Sequence, residues 1–123
     1  MIDDQVVLAN ADCLMIWTGE TGTPEGSAMV VPRAHRSTLW DLTAQEWAAT
    51  LALLVEARDL ISRLHAPDGW NVGWNVGVVG GQSVQHVHCH IVPRYSREPL
   101  AGRGIRSWIK DPSNRPPRSG ADG

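Results

Sequence analysis

Gly80-Gly81-Gln82-Ser83-Val84-Gln85-His86-Val87-His88-Cys89-His90-Ile91-Val92-Pro93 carries three of the chain's five histidines at alternate positions. Alternation with a period of two is the mark of a β-strand, whose side chains point to opposite faces in turn. Read as a strand from Val84 to Val92 closed by Pro93, the stretch puts His86, His88 and His90 on one face, about 6.6–7 Å apart. Val87, Cys89 and Ile91 then fall on the other face, against a core. One strand thus predicts a sheet with an apolar side to be covered and an imidazole-bearing side left for chemistry.

Strands do not ordinarily stack titratable rings on one face while keeping the other apolar, so two chemistries compete. Imidazoles in a His-x-His row are good zinc ligands. In a straight strand, however, the first and third rings lie too far apart to share one ion easily, and Cys89 faces away. The alternative is nucleophilic and acid–base catalysis. Neutral imidazole attacks without first losing a proton, and a neighbouring ring carries the proton that a leaving group needs. The residues just upstream favour a phosphate. Gly80 and Gly81 permit close approach of backbone N–H groups to an anion, and Gln82 and Ser83 add neutral donors.

Upstream of the row, Trp70–Val76 reads as a strand, with the short echo Trp-Asn-Val-Gly at 70 and 74, and 77–81 as a loop. A helix is expected from Ala44 to about Leu64, opened by Thr43 with Glu46 three residues later, a capping box. Trp47, Leu51, Leu54, Arg58 and Ile61 form a mostly apolar stripe expected to pack on the sheet. Nearer the N-terminus, Val6–Ile16 splits into two apolar pieces around Asn10-Ala11-Asp12. Cys13–Trp17 and Ser27–Val31 (stopped by Pro32) are expected to pair as a hairpin across the turn-rich loop 18–26. Beyond Ile109 the chain turns to Pro, Ser, Arg, Asn and Gly, which predicts a single domain over 1–110 and an extended or disordered tail over 111–123. Strands, one long helix, then strands joined by short connections make an antiparallel sheet with helical cover, an α+β fold.

The bulk properties narrow the function. A chain of 123 residues with 42% hydrophobic content fits one domain with a real core. A net charge of −2 is wrong for gripping a nucleic acid, but a few donors in a concave site suffice for a small phosphate ligand. No apolar run approaches membrane-spanning length. Met1-Ile2-Asp3-Asp4 is acidic with no apolar segment after it, unlike a signal peptide, and Cys13 and Cys89 read as reduced thiols, so a cytoplasmic location is expected. Phe is absent and Trp occurs six times; such rings suit half-buried pocket walls or an interface. With weakly charged N-terminal strands they predict a homodimer. The basic stretch Gly102–Trp108, continuing to Arg115, supplies cations for a polyphosphate or is simply a solvated tail.

His86-Val87-His88-Cys89-His90-Ile91-Val92 matches His-φ-His-φ-His-φ-φ, with φ apolar, and so resembles the signature of the histidine triad (HIT) family. Asn75, the glycine loop and Gln82-Ser83 fit the same pattern, as do Val30-Val31-Pro32-Arg33-Ala34-His35 and Asp41-Leu42-Thr43-Ala44-Gln45-Glu46. The resemblance runs from about Cys13 to Arg94. It implies a five-stranded antiparallel sheet with one long helix and a shorter helical segment per subunit, most such proteins being homodimers. It also implies a nucleotide hydrolase or nucleotidyltransferase acting at an α-phosphate of a dinucleoside polyphosphate or nucleoside phosphoramidate. His88 would be the nucleophile forming a nucleotidyl-histidine, and His86 would orient it. His90 and Ser83 would contact the leaving atom, and Gln82 and Asn75 the phosphate. No metal or cofactor is expected for the nucleophilic step, with Mg2+ entering only alongside a polyphosphate substrate. Members commonly carry Gly-His on the second strand; here the pair is Gly26-Ser27, and His35 matches a different motif position. A nucleotide-binding module with little turnover and a zinc-binding module are the competing functions.

Overall fold

The computed structural model describes residues 5–19 and 22–116. The acidic Met1–Asp4, two residues of the 18–26 loop and tail residues 117–123 lie outside them. Five strands form one antiparallel sheet: β1 (Val6–Ala9), β2 (Cys13–Trp17), β3 (Ala28–Pro32), β4 (Gly69–Trp74) and β5 (Cys89–Arg94), in the order β1-β2-β3-β5-β4. One long helix, α1 (Ala44–His65), and a short one, α2 (Ile105–Ile109), complete the fold. Among the described residues no helix is long and apolar enough to cross a membrane.

Local chemistry sets these elements. The β1–β2 turn is closed by the Asn10 side chain, whose Oδ1 accepts from the N–H groups of Asp12 and Cys13 at 3.2 and 2.8 Å. Helix α1 opens with the expected box. Thr43 accepts from the Glu46 N–H at 3.0 Å, and the Glu46 carboxylate accepts from the Thr43 N–H at 2.8 Å. At the other end Ala66 takes a left-handed conformation (φ 49°) to close the last turn. Gly26 is required where the β2–β3 loop meets that end: its φ is +90°, and a Cβ there would lie 2.8 Å from the His65 ring.

The core lies between α1 and one sheet face. Cys13, Met15, Ala28, Val30, Cys89 and Ile91 come from the strands and Leu53, Ala57 and Ile61 from the helix. The buried helical positions are Glu46, Thr50, Leu53, Ala57 and Ile61. The expected stripe therefore needs correcting. Trp47, Leu51 and Arg58 are exposed, and of that set only Ile61 is fully buried. Small residues at 50 and 57 let the helix sit close to the sheet, and the bulkier Trp47 and Leu51 are displaced to its flank. Of the two prolines expected to stop strands, Pro32 is the last residue of β3, while Pro93 lies inside β5. Pro32 pairs with Cys13, and Pro93 pairs with Trp70. In the tail, 112–114 form a 3-10 turn capped by Asp111 rather than an extended segment.

Candidate active site

The histidine row is not one strand. Pairing begins only at Cys89, so His86 and His88 stand in the irregular chain before β5, against the expected strand from Val84 to Val92. The reason is visible in where this segment's polar groups go. The Val87 N–H donates to the Arg36 carbonyl at 2.7 Å, His86 Nε2 to the Pro32 carbonyl at 3.0 Å, and Gln82 Nε2 to the Ser37 carbonyl at 2.6 Å. The loop after β3 has taken the place of a neighbouring strand, and the His35 ring packs edge-on against His86 at 5.3 Å between centroids. The side-chain alternation nevertheless survives. Val87, Cys89 and Ile91 are buried, while the three histidines line one cavity.

That loop is itself anchored. Arg36 donates through Nε to both carboxylate oxygens of Glu46, at 3.0 and 3.2 Å. Hydrogen bonds from Arg36 and the Thr43 N–H hold the Glu46 carboxyl below the usual carboxylate range. The capping box of α1 is thus tied through Arg36 to the peptide between two of the histidines.

His88 Nδ1 lies 3.0 Å from the His86 carbonyl oxygen. A carbonyl only accepts, so Nδ1 carries the proton and Nε2 of the neutral ring keeps the lone pair. The His88 and His90 rings meet edge to face with centroids 4.8 Å apart. Asn75, Gly81 and Ser83 line the same cavity, whose volume is about 460 Å³. Its apolar wall is Ile16, Met29 and Val31, which lie on the sheet face opposite the core. This size and mixture suit a small organic ligand with a polar end.

Two of the expected phosphate contacts have other partners here. The N–H groups of Gly80, Gly81 and Gln82 donate to the carbonyls of Gly77, Val78 and Gly77 at 3.1, 3.0 and 3.0 Å, so the glycine pair closes a turn. Gly80 is needed because a Cβ there would run into the Val76 carbonyl. The Gln82 side chain also accepts from the Gly77 N–H at 2.9 Å. It therefore braces the loop, and it is not among the residues lining the cavity. Ser27, in the place of the usual histidine, is buried with its hydroxyl donating to the Pro24 carbonyl at 2.6 Å, away from the triad.

Sequence reasoning missed the Pro32–Ser37 loop as the support of the triad. It also missed the apolar wall, although the signal was present: β2 and β3 are apolar at every position, so both faces needed cover. Cys89, between two of the histidines, is buried and its thiol is pushed up to about 12, too high to act as a nucleophile or ligand at neutral pH. Among the described residues no three His, Cys, Asp or Glu side chains are grouped to hold a metal ion.

Comparison with known proteins agrees with this geometry. The AP-4-A phosphorylase of Mycobacterium tuberculosis is 42% identical over 71 residues, covering 57% of this chain and 36% of the relative. The adenosine 5'-monophosphoramidase hnt1 of Schizosaccharomyces pombe is 31% identical over 90 residues, covering 73% of this chain and 65% of that protein. The chain thus spans between about a third and two-thirds of the length of these relatives. A crystal structure of a HIT family member from Bacillus subtilis superimposes with a TM-score of 0.69 at 26% identity, covering 75% of this chain and 64% of that one. The HIT domain profile matches residues 1–97, and the chain belongs to the HIT domain family.

Proposed function

We propose that the protein is a nucleotide hydrolase or nucleotidyltransferase that cleaves at an α-phosphate through a nucleotidyl-histidine on His88. The observation that carries this reading is the 3.0 Å contact from His88 Nδ1 to the His86 carbonyl, which leaves the Nε2 lone pair for attack inside a ligand-sized cavity. Nε2 forms a bond to phosphorus as the bond to the bridging atom breaks. The departing atom takes a proton from His90 or the Ser83 hydroxyl, both in the same cavity. Water or another acceptor then breaks the phosphorus–nitrogen bond, releasing the nucleoside monophosphate and restoring the ring. Asn75 is the side-chain donor available to the nonbridging oxygens, and Ile16, Met29 and Val31 offer a surface for a base. Gln82, Gly80 and Gly81 contribute by holding the loop that presents Ser83. The step needs no cofactor; Mg2+ enters with a polyphosphate substrate.

Rapid quench with α-labelled substrate should place acid-labile, base-stable label on His88. His88→Ala should lower turnover by about a thousandfold or more, several kcal/mol of lost transition-state stabilisation. Inversion at a chiral phosphorothioate would overturn the covalent route, since two in-line displacements retain configuration. Bound AMP without product would instead make the chain a binding module.

The protein acts as a homodimer in this reading. Trp47, Leu51 and Val55 on the flank of α1 and Val72 on the edge strand β4 are all exposed, and apolar side chains left in water in this way suit a subunit contact. A monomeric mass by light scattering at micromolar concentration would contradict it. The free, buried thiols of Cys13 and Cys89 support a reducing compartment, the cytoplasm.

A further inference from the structure

A second cavity, of about 390 Å³, opens where the β2–β3 loop meets the C-terminus of α1, with Trp17, Pro24, Glu25, Gly26, Ser27 and His65 along its walls. Among the described residues it shares none with the histidine cavity, and it includes none of the α1 and β4 side chains assigned above to the subunit contact. Alternation along β2 separates the two cavities. Ile16 and Thr18 line the histidine cavity, while Trp17 between them turns to this one.

The loop is built to hold one carboxylate in place. The Pro24 carbonyl accepts from both the N–H and the hydroxyl of Ser27, at 3.1 and 2.6 Å. The Ser27 carbonyl accepts from the Thr18 N–H at 3.0 Å, and the Glu25 carbonyl from the Tyr95 hydroxyl at 2.5 Å. With Gly26 seated against the His65 ring, the backbone on both sides of Glu25 is fixed. Its side chain is nevertheless 72% exposed, with Oε1 3.5 Å from His65 Nδ1, an ion pair only while that ring carries a proton. The other surroundings favour a positive charge. Trp17 keeps 36% of its surface in water in the same cavity, and α1 ends here, at the negative pole of its dipole. An ammonium or guanidinium group gains both from a carboxylate and from an indole face, and Pro24 adds an apolar wall for its stem. An anion would meet Glu25 and the helix terminus, and an uncharged ring would leave the carboxylate unanswered.

We propose that this cavity binds an organic cation, an alkylammonium or guanidinium group held by the Glu25 carboxylate with its methylene stem across the Trp17 indole and Pro24. The volume is in the range of sites for small organic ligands. The site is separate from the chemistry at His88 and stands or falls without it.

The test is a titration of the full chain, followed by proton–nitrogen NMR, with pentylamine and with pentan-1-ol, which has the same stem and no charge. Pentylamine should give saturable shifts at the Trp17 indole N–H and at the Gly26 and Ser27 amides, and should bind at least about threefold more tightly than the alcohol, the size of one exposed charged contact together with one cation–π contact. Glu25→Gln should bring the amine to the level of the alcohol. Glu56→Gln, which removes an exposed carboxylate elsewhere on α1, should leave amine binding unchanged and so control for net charge. Trp17→Phe, which keeps a smaller ring, should weaken the amine about twofold. Nα-acetyl-lysine amide distinguishes the sources of the cation: binding at least as tight as pentylamine assigns it to a polypeptide side chain, and weaker binding to a free amine. Equal binding of amine and alcohol to the wild-type chain overturns the proposal, whatever the variants do to folding. So does amine binding in Glu25→Gln as tight as in wild type, which would leave Glu25 and His65 as a surface ion pair that only fixes the loop. Shifts that fail to saturate, or that fall on the residues of the histidine cavity, overturn it as well.

Discussion

From Cys89 to Arg94 the chain is an inner strand, bonded to β3 on one side and β4 on the other. From Gln82 to His88 the same run of sequence has no ladder and hangs from the carbonyls of Pro32, Arg36 and Ser37. His90 belongs to the first half, His86 and His88 to the second. A ladder fixes a side chain through many backbone bonds that also hold the fold together. A few bonds from a loop fix it just as well in place but separate its position from the stability of the sheet. The ring assigned as nucleophile sits one residue before the ladder begins, where its orientation can be set by one carbonyl.

Three substitutions probe that division, in order of expected effect on stability. Ile91→Ala removes a buried side chain from the ladder half and should cost about 2–5 kcal/mol, seen as a lower denaturation midpoint with turnover per folded molecule nearly unchanged. A selective loss of turnover would mean the halves are not separable. Glu46→Gln weakens the Arg36 link to the pinned half and should cost about 1–2 kcal/mol at pH 7. The folded carboxyl titrates below the ordinary 4.5, so its contribution is present above that value and fades as pH falls through the lower folded value. The melting difference between variant and wild type should therefore shrink in acid; a constant difference from pH 7 to 3 would break the assignment. Gln82→Ala removes two loop bonds of a half-buried side chain and should cost under about 1 kcal/mol. Its turnover should nonetheless fall about tenfold, mostly in kcat. Unchanged kcat would show that the Ser37 contact does not govern the rings.

The same division explains what could be read from sequence. The sheet, its helix and the capping box at Thr43 and Glu46 were legible because alternation and capping are local signals. The three histidines were legible for the same reason, since their facing follows from spacing whether or not the segment is paired. The start of β5 was not. Whether Val87 bonds to a strand or to Arg36 depends on a loop about fifty positions away, and no local pattern records it. The helix stripe failed because apolar size was taken for burial, while close packing favoured Thr50 and Ala57. The turn closed by the glycine pair was not legible, because a turn and an anion cradle use the same residues and differ only in where the N–H groups point.

Cys89 shares the triad's sequence and none of its exposure. Its thiol lies in the core with its ionisation pushed up to about 12, so alkylating reagents should find nothing to attack in the native state. The rate at which this sulfur reacts then becomes a clock for transient opening of this inner strand. A bound nucleotide that braces the neighbouring rings would slow that clock without ever touching the sulfur.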